Sequence, residues 1–234
     1  MKKFKIYFTI FISINLSTAA FSQTIRTYDL SGFQKLNMGS AFHIHVIQGN
    51  SFKVIAKGAK KDLDRLEVYT KNNTLVAGFE NNWNWWGRNN SEKIEFQIEM
   101  PSILSVNFSG ASNSTITGFD DLNTLNIELS GASKSKIDVF SNNMSVEVSG
   151  ASKLNLIGRS NKLTLSMSGA SSVEATNFPV KIADIDASGA SSARLSVSQS
   201  INYDASGASN VKYIGNAKVS KSTSGAANIN RLLH

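Results

Sequence analysis

The tetrapeptide Ser-Gly-Ala-Ser begins at Ser109 and returns at Ser130, Ser149, Ser168, Ser188 and Ser206, with a last variant, Ser-Gly-Ala-Ala, at Ser224. Successive copies are 21, 19, 19, 20, 18 and 18 residues apart. A period near 19 that tolerates slips of a residue or two marks stacked structural units, with the slips absorbed in loops. Strict alternation precedes the copies, as in residues 104–108 (LSVNF), 125–129 (LNIEL), 144–148 (MSVEV) and 163–167 (LTLSM). Each such stretch predicts a half-buried strand. Beyond the motif, apolar pairs recur at Leu154 and Leu156, Val173 and Ala175, Ala193 and Leu195, and Val211 and Tyr213, so a second short strand is expected after each turn.

A unit that paired its own two strands as a hairpin could not keep every apolar position on one side through seven copies. Stacking coil upon coil does so, each strand bonding its equivalent in the next unit, parallel and in register. The rival architectures, stacked hairpins or a propeller, fit less well, since propeller blades need about twice this period. The expected fold is all-β: a right-handed single-stranded parallel β-helix, or β-solenoid, the hand following the crossover preference of parallel strands. At about 4.8 Å per coil, seven coils make a rod of roughly 34 Å. In the motif, glycine supplies a positive φ or a close backbone approach, alanine is expected to point inward, and the serines to bond nearby backbone or one another. A serine nucleophile or a phosphate-binding glycine loop would be needed once, whereas a scaffold needs the same corner in every coil.

Composition agrees with such a rod. Charged residues make up only 18% of the 234, and serine, with 35 copies, supplies much of the remaining polarity. There is no cysteine, which excludes a disulfide framework, a thiolate metal centre, a cysteine nucleophile and a lipid-modified cysteine. Met1 to Lys5 is basic, Ile6 to Leu16 is mainly apolar, and Ala20-Phe21-Ser22 has small residues where a signal peptidase cuts. Residues 1–22 are therefore expected to be a signal peptide, and the apolar stretch is too short to span a membrane comfortably. Cleavage lowers the formal charge from +7 to +4 by removing three lysines. With no dense Lys/Arg run in the remainder, nucleic acid is not an expected partner. Export without disulfides points to a bacterial periplasm or outer surface, or to an extracellular location.

Residues 33–49 (FQKLNMGSAFHIHVIQG), Met100-Pro101 with the strand into Ser109-Gly110-Ala111 and its repeats, and residues 213–219 (YIGNAKV) resemble the bacterial putative auto-transporter adhesin family, whose members carry a head GIN domain. Ala217 stands where the family's Gly-Asn-Pro turn has proline. The resemblance implies an exported, all-β protein of adhesin type, and it brings no catalytic residues and no cofactor. The organisation expected is a signal peptide at 1–22, an N-terminal β segment at 23–100 that starts and caps the solenoid, and a repeat β-helix at 101–234 continuous with it.

Four features are candidates for function. Two residues before each motif lies an outward column: Asn107, Glu128, Glu147, Ser166, Asp186, Asp204 and Ser222. Stacking would put Glu128 and Glu147 roughly 5 Å apart, near the carboxylate separation of retaining glycosidases. A polysaccharide lyase or hydrolase is thus an alternative, but a solvated charge ladder explains the same pattern. Lys134 and Lys153, then Lys136, Arg194 and Lys212, form a basic counterpart beyond the turn. His43 and His45 leave one face of a strand, and two ligands do not complete a metal site. No metal site is expected.

The fourth is residues 81–90 (NNWNWWGRNN), which hold all three tryptophans between expected strands near Leu75–Phe79 and Ile94–Ile98. Trp83, Trp85 and Trp86, with Asn84 and Arg88, could stack on sugar rings and bond hydroxyls, or anchor a protein partner. The competing role is a tryptophan patch that covers the open end of the rod. The expectation is a non-enzymatic adhesin for a glycan or a surface protein. Self-association into a homo-oligomer through edge strands or flat polar faces is the structural alternative.

Overall fold

In the computed structural model, which describes residues 23–79 and 93–232, the chain is almost entirely β, with strands over 70% of it and one short helix. The repeat region is a solenoid of about seven turns. Its body is five long strands: β9 (Asn113–Leu129), β10 (Lys134–Val148), β11 (Lys153–Met167), β12 (Ser172–Ala187) and β13 (Ser192–Ala205). They pair in sequence order, all parallel. Each runs from just after one motif corner to just before the next. The two short strands expected per coil are therefore one strand that bends between its halves, because neighbouring coils bend together and keep their backbone bonds. After β13 the two halves separate: β14 (Asn210–Ile214) and β15 (Lys218–Thr223) each add to one half of β13, and β16 (Asn228–Arg231) adds to β14.

Inward positions stack apolar side chains in columns along the rod. Ile127, Val146, Leu165, Ile185 and Tyr203 are buried and in register, as are Leu154, Val173, Ala193 and Val211 on the opposite wall. The corner is where the structure departs from expectation. The motif alanines, such as Ala132 and Ala151, are exposed, and the fourth residue of each full motif, such as Ser133 or Ser152, is buried. The glycine fits the corner to its neighbour. Gly189 has φ +71°, and a β-carbon there would lie 2.7 Å from the Gly169 carbonyl oxygen of the coil below. The strand alternation runs through the corner without a change of parity, from Leu129 to Ser133 and Ser135, so the alanine falls on an outward position and the fourth residue on an inward one.

Burying a hydroxyl requires a partner. Ser112, Ser133 and Ser209 donate to the carbonyls of Ser109, Ser130 and Ser206 at 2.7, 2.8 and 3.2 Å. Among the described residues the equivalent hydroxyls of Ser171 and Ser191 have no partner. The alanine amide bonds the glycine carbonyl one coil back, as Ala132 does to Gly110 at 2.7 Å, so the backbone ladder continues through the corner.

The same coil path begins earlier than the motif. β2 (Lys35–Met38) and β3 (His43–Gln48) flank a corner at Gly39-Ser40-Ala41, with Ser40 at φ 71° and Ala41 at φ 62°. β3 pairs the first half of β9, while β8 (Ser105–Phe108) pairs its second half and β2 in turn pairs β8, all parallel. Beyond this coil the pairing becomes mixed. β7 (Glu95–Met100) lies parallel to β3, but β4 (Lys53–Ala59) is antiparallel to β7, and β1 (Gln23–Tyr28) is antiparallel to β4. On the other wall β6 (Thr74–Phe79) adds parallel to β2 and carries β5 (Leu66–Lys71) as an antiparallel hairpin partner. The helix α1 (Lys60–Leu63) links β4 to β5. Its last residue, Leu63, is fully buried.

Candidate functional site

The outward column before the motif is present as expected. Asn107, Glu128, Glu147, Ser166, Asp186, Asp204 and Ser222 are successive register partners on β8 to β13 and β15. Glu128 and Glu147 face each other directly, one coil apart, and Glu128 accepts a hydrogen bond of 2.6 Å from the Asn107 amide. Both carboxylates are exposed on the outer wall. Among the described residues that wall has no apolar pocket or cleft in which a general acid would sit. Lys162 and Asp184 form an ion pair of 2.8 Å on the same wall.

The basic column is less continuous than its spacing suggests. Lys134 faces Lys153, but at the next outward position the order is Thr115, Lys136, Asn155, Glu174, Arg194, Lys212, Asn230. Glu174 interrupts it and pairs with Arg194 at 3.4 Å. Both walls carry their like charges at the same corners: Glu128 with Lys134 and Lys136, Glu147 with Lys153, Asp186 with Arg194, and Asp204 with Lys212. At the corner that begins at Ser168, between these pairs, the acidic column has Ser166.

His43 and His45 lie on β3 as predicted, and parallel pairing sets Glu95 against His43 and Gln97 against His45. The sequence around the histidines shows no acid; the fold supplies one from about fifty residues away. His45, Glu95, Lys53 and Glu99 border a shallow hollow of about 360 Å³. Among the described residues no three His, Cys, Asp or Glu side chains are placed to hold a metal ion.

Trp83, Asn84, Trp85, Trp86 and Arg88 lie outside the described residues, as does the expected signal peptide. The strands that flank the tryptophan segment, β6 and β7, fall where the alternation put them. Sequence reasoning singled out nothing at the corner opposite the motif, where the long strands bend. A groove crosses five coils there, with Asp120, Asp121, Arg159 and Lys181 along it. The signal that could have found it is the uneven spacing of the motifs, since the coils of 21 and 20 residues must place their extra residues somewhere.

Solved structures share this architecture. A putative adhesin from Bacteroides fragilis NCTC 9343 superposes with a TM-score of 0.80 at 21% identity, over 90% of this chain and 97% of that one. A putative lipid binding protein from Parabacteroides distasonis ATCC 8503 gives 0.69 at 15% identity, over 90% and 97%. A putative adhesin from Parabacteroides merdae ATCC 43184 gives 0.72 at 12% identity, over 90% and 96%. At these identities the likeness is one of fold. No curated protein is significantly similar in sequence. The model of one family matches residues 32–217, which include the first coil, the mixed N-terminal sheet except β1, and the repeats up to the corner at Ser206. The chain belongs to the family described as putative auto-transporter adhesin, head GIN domain.

Proposed function

We propose that this protein is exported by cleavage after Ser22 and serves at the cell envelope as a non-catalytic adhesin for a glycan or a surface protein. Membership of an adhesin family over residues 32–217 is the observation that carries the reading. Two further features support it. The walls of the solenoid are open polar ladders, which suit contact with a partner better than enclosure of a reacting centre. Among the described residues, no helix is long and apolar enough to cross a membrane. Trp83, Trp85 and Trp86, with Asn84 and Arg88, are the contact we assign, indoles stacking on sugar rings or filling a partner's pockets while the polar neighbours bond.

The test is a glycan array and a cell-surface binding assay with the mature protein, repeated with W83A/W85A/W86A. Loss of binding at unchanged circular dichroism supports the contact; unchanged binding removes it. The rival enzymatic reading requires Glu128 and Glu147, so an E128Q/E147Q variant that lost a depolymerising activity of the wild type would replace our reading.

A second reading, self-association, rests on the matching charge pattern of the two walls, which lets the acidic wall of one copy meet the basic wall of another. Light scattering at high protein concentration and low salt tests it, and a strictly monomeric species would end it.

A further inference from the structure

The groove on the bend opposite the motif follows from coil length. The coil from Ser109 has 21 residues and the coil from Ser168 has 20, and between them lie two coils of 19. β10 and β11 pair through the bend without a slip, Phe140 against Arg159 and Ser141 against Ser160. Both neighbours slip. The ladder of β9 with β10 shifts between Asp138 and Ser141, and that of β11 with β12 between Asn155 and Ser160. The surplus residues of the long coils are extruded at this corner, where Asp120-Asp121 rises on one side and Pro179 to Lys181 on the other. The two short coils are left as a floor, and the concavity measures about 460 Å³. That is within the range of pockets that hold small organic ligands.

The floor is rigid and polar. Ser141 donates to Ser160 at 3.2 Å, and the Ser160 hydroxyl sits 3.1 Å from the Asn142 carbonyl and 3.0 Å from that of Lys162. Asn161 donates to the Asn142 side-chain oxygen at 3.0 Å, which leaves the Asn161 amide oxygen and the Asn142 amide nitrogen for a ligand. The central carbon of the Arg159 guanidinium lies 4.5 Å from the centroid of the Phe140 ring, a cation–π contact on the groove floor. Among the described residues none of Asp120, Asp121, Arg159 and Lys181 has an ion-pair partner.

We propose that this groove binds a segment of an uncharged, hydroxyl-rich oligosaccharide. Two carboxylates and two cations give the lining a formal charge of zero, so neither a polyanion nor a polycation gains from it overall. Hydroxyl groups can use all four charges at once, donating to Asp120 and Asp121 and accepting from Arg159 and Lys181 in charge-assisted bonds. The Asn142–Asn161 pair adds a donor beside an acceptor, which fits neighbouring hydroxyls. The groove draws on strands β9 to β13, four coil steps or about 19 Å along the rod.

The inference deepens the binding reading by naming a ligand class at a site separate from the tryptophan segment, and its test distinguishes the two. The mature protein is titrated calorimetrically with cello-, malto- and manno-hexaose and with an oligogalacturonide. N142A/N161A, R159A and W83A/W85A/W86A are titrated beside it. Asn142, Arg159 and Asn161 are exposed, and thermal unfolding confirms that each variant is folded. The expected result is binding of a neutral oligosaccharide that weakens at least about tenfold in N142A/N161A and in R159A. It should change less than about twofold between about 0.05 and 0.5 M salt. W83A/W85A/W86A should retain it. Equal affinity in the groove variants, or binding of the oligogalacturonide alone with a steep salt dependence, overturns the groove. Loss only in W83A/W85A/W86A overturns the groove and leaves the tryptophan contact standing. Binding of no saccharide overturns the groove as well, while attachment to a protein partner is judged by the cell-surface assay.

Discussion

The corner at Gly39-Ser40-Ala41 and the seven corners from Ser109 to Ser224 do the same work with different residues. In the repeats a glycine takes the left-handed position each time, as Gly150 does at φ 68°, and packs on the glycine one coil below. In the first coil Ser40 holds that position at φ 71°, directly beneath Gly110. A side chain is tolerated there because Ser40 is exposed and, among the described residues, ends the column. Within the column a β-carbon would meet the carbonyl of the coil beneath. The same contrast runs through the core. The repeats stack mostly aliphatic residues in register, with isolated aromatics such as Tyr203, while the mixed N-terminal sheet packs aromatic rings against one another. Phe42 lies 5.1 Å from Phe96 and 5.5 Å from Phe79, and Phe33 lies 4.9 Å from Phe52. A repeating coil needs only a side chain that fits its own neighbour above and below. An irregular end has to be filled by shape.

If the aromatic cluster holds the N-terminal end together, Phe42→Ala should be the most damaging single change. We expect about 4 kcal/mol from the lost burial and the cavity left behind, read in denaturant unfolding. A cost under about 1 kcal/mol would mean that the end relaxes as readily as a repeat. Gly150→Ala should cost about 3 kcal/mol, because it combines left-handed strain with a clash against the Gly131 carbonyl. At the bottom of the column the sign reverses: Ser40→Gly should stabilise by about 0.5 kcal/mol, since strain is relieved and only chain entropy opposes the gain. Destabilisation by Ser40→Gly would show that the serine side chain itself is needed.

The smallest effect concerns the N-terminal end alone. Asp64 bonds Lys60 and Arg26, each at 2.7 Å, and these bonds, that from Lys60 first, hold its carboxyl below the usual carboxylate range. A depressed carboxylate contributes its stability above the unfolded-state value and loses it as pH falls through the folded one. Amide protection around α1, taken relative to the intrinsic exchange rate at each pH, should therefore fall on acidification below the ordinary aspartate range while that of β10 and β11 changes less. Asp64→Asn should remove the difference. The pair is exposed and the effect is correspondingly local.

Several elements were legible in the sequence for physical reasons. Alternation assigns each residue of a strand to the inside or the outside, so the columns Glu128 to Asp204 and Leu154 to Val211 follow from the residue pattern alone. The period required stacking, because no single unit can bury its own apolar face. Other elements depend on contacts that no local pattern encodes. Ser40 lacks the motif glycine and only its place beneath Gly110 identifies it as a corner. Glu95 reaches His43 through a parallel pairing across the non-repetitive region.

What the sequence by itself determined is the repeating coil, its period, and the side of the wall on which most residues lie, since all three follow from local alternation and from one glycine-bearing turn. Tertiary structure decided the corners. There a left-handed glycine packs each coil against the glycine of the coil below. The extra residues of two coils became the sides of a groove, because two in-register neighbours left them nowhere to go but out.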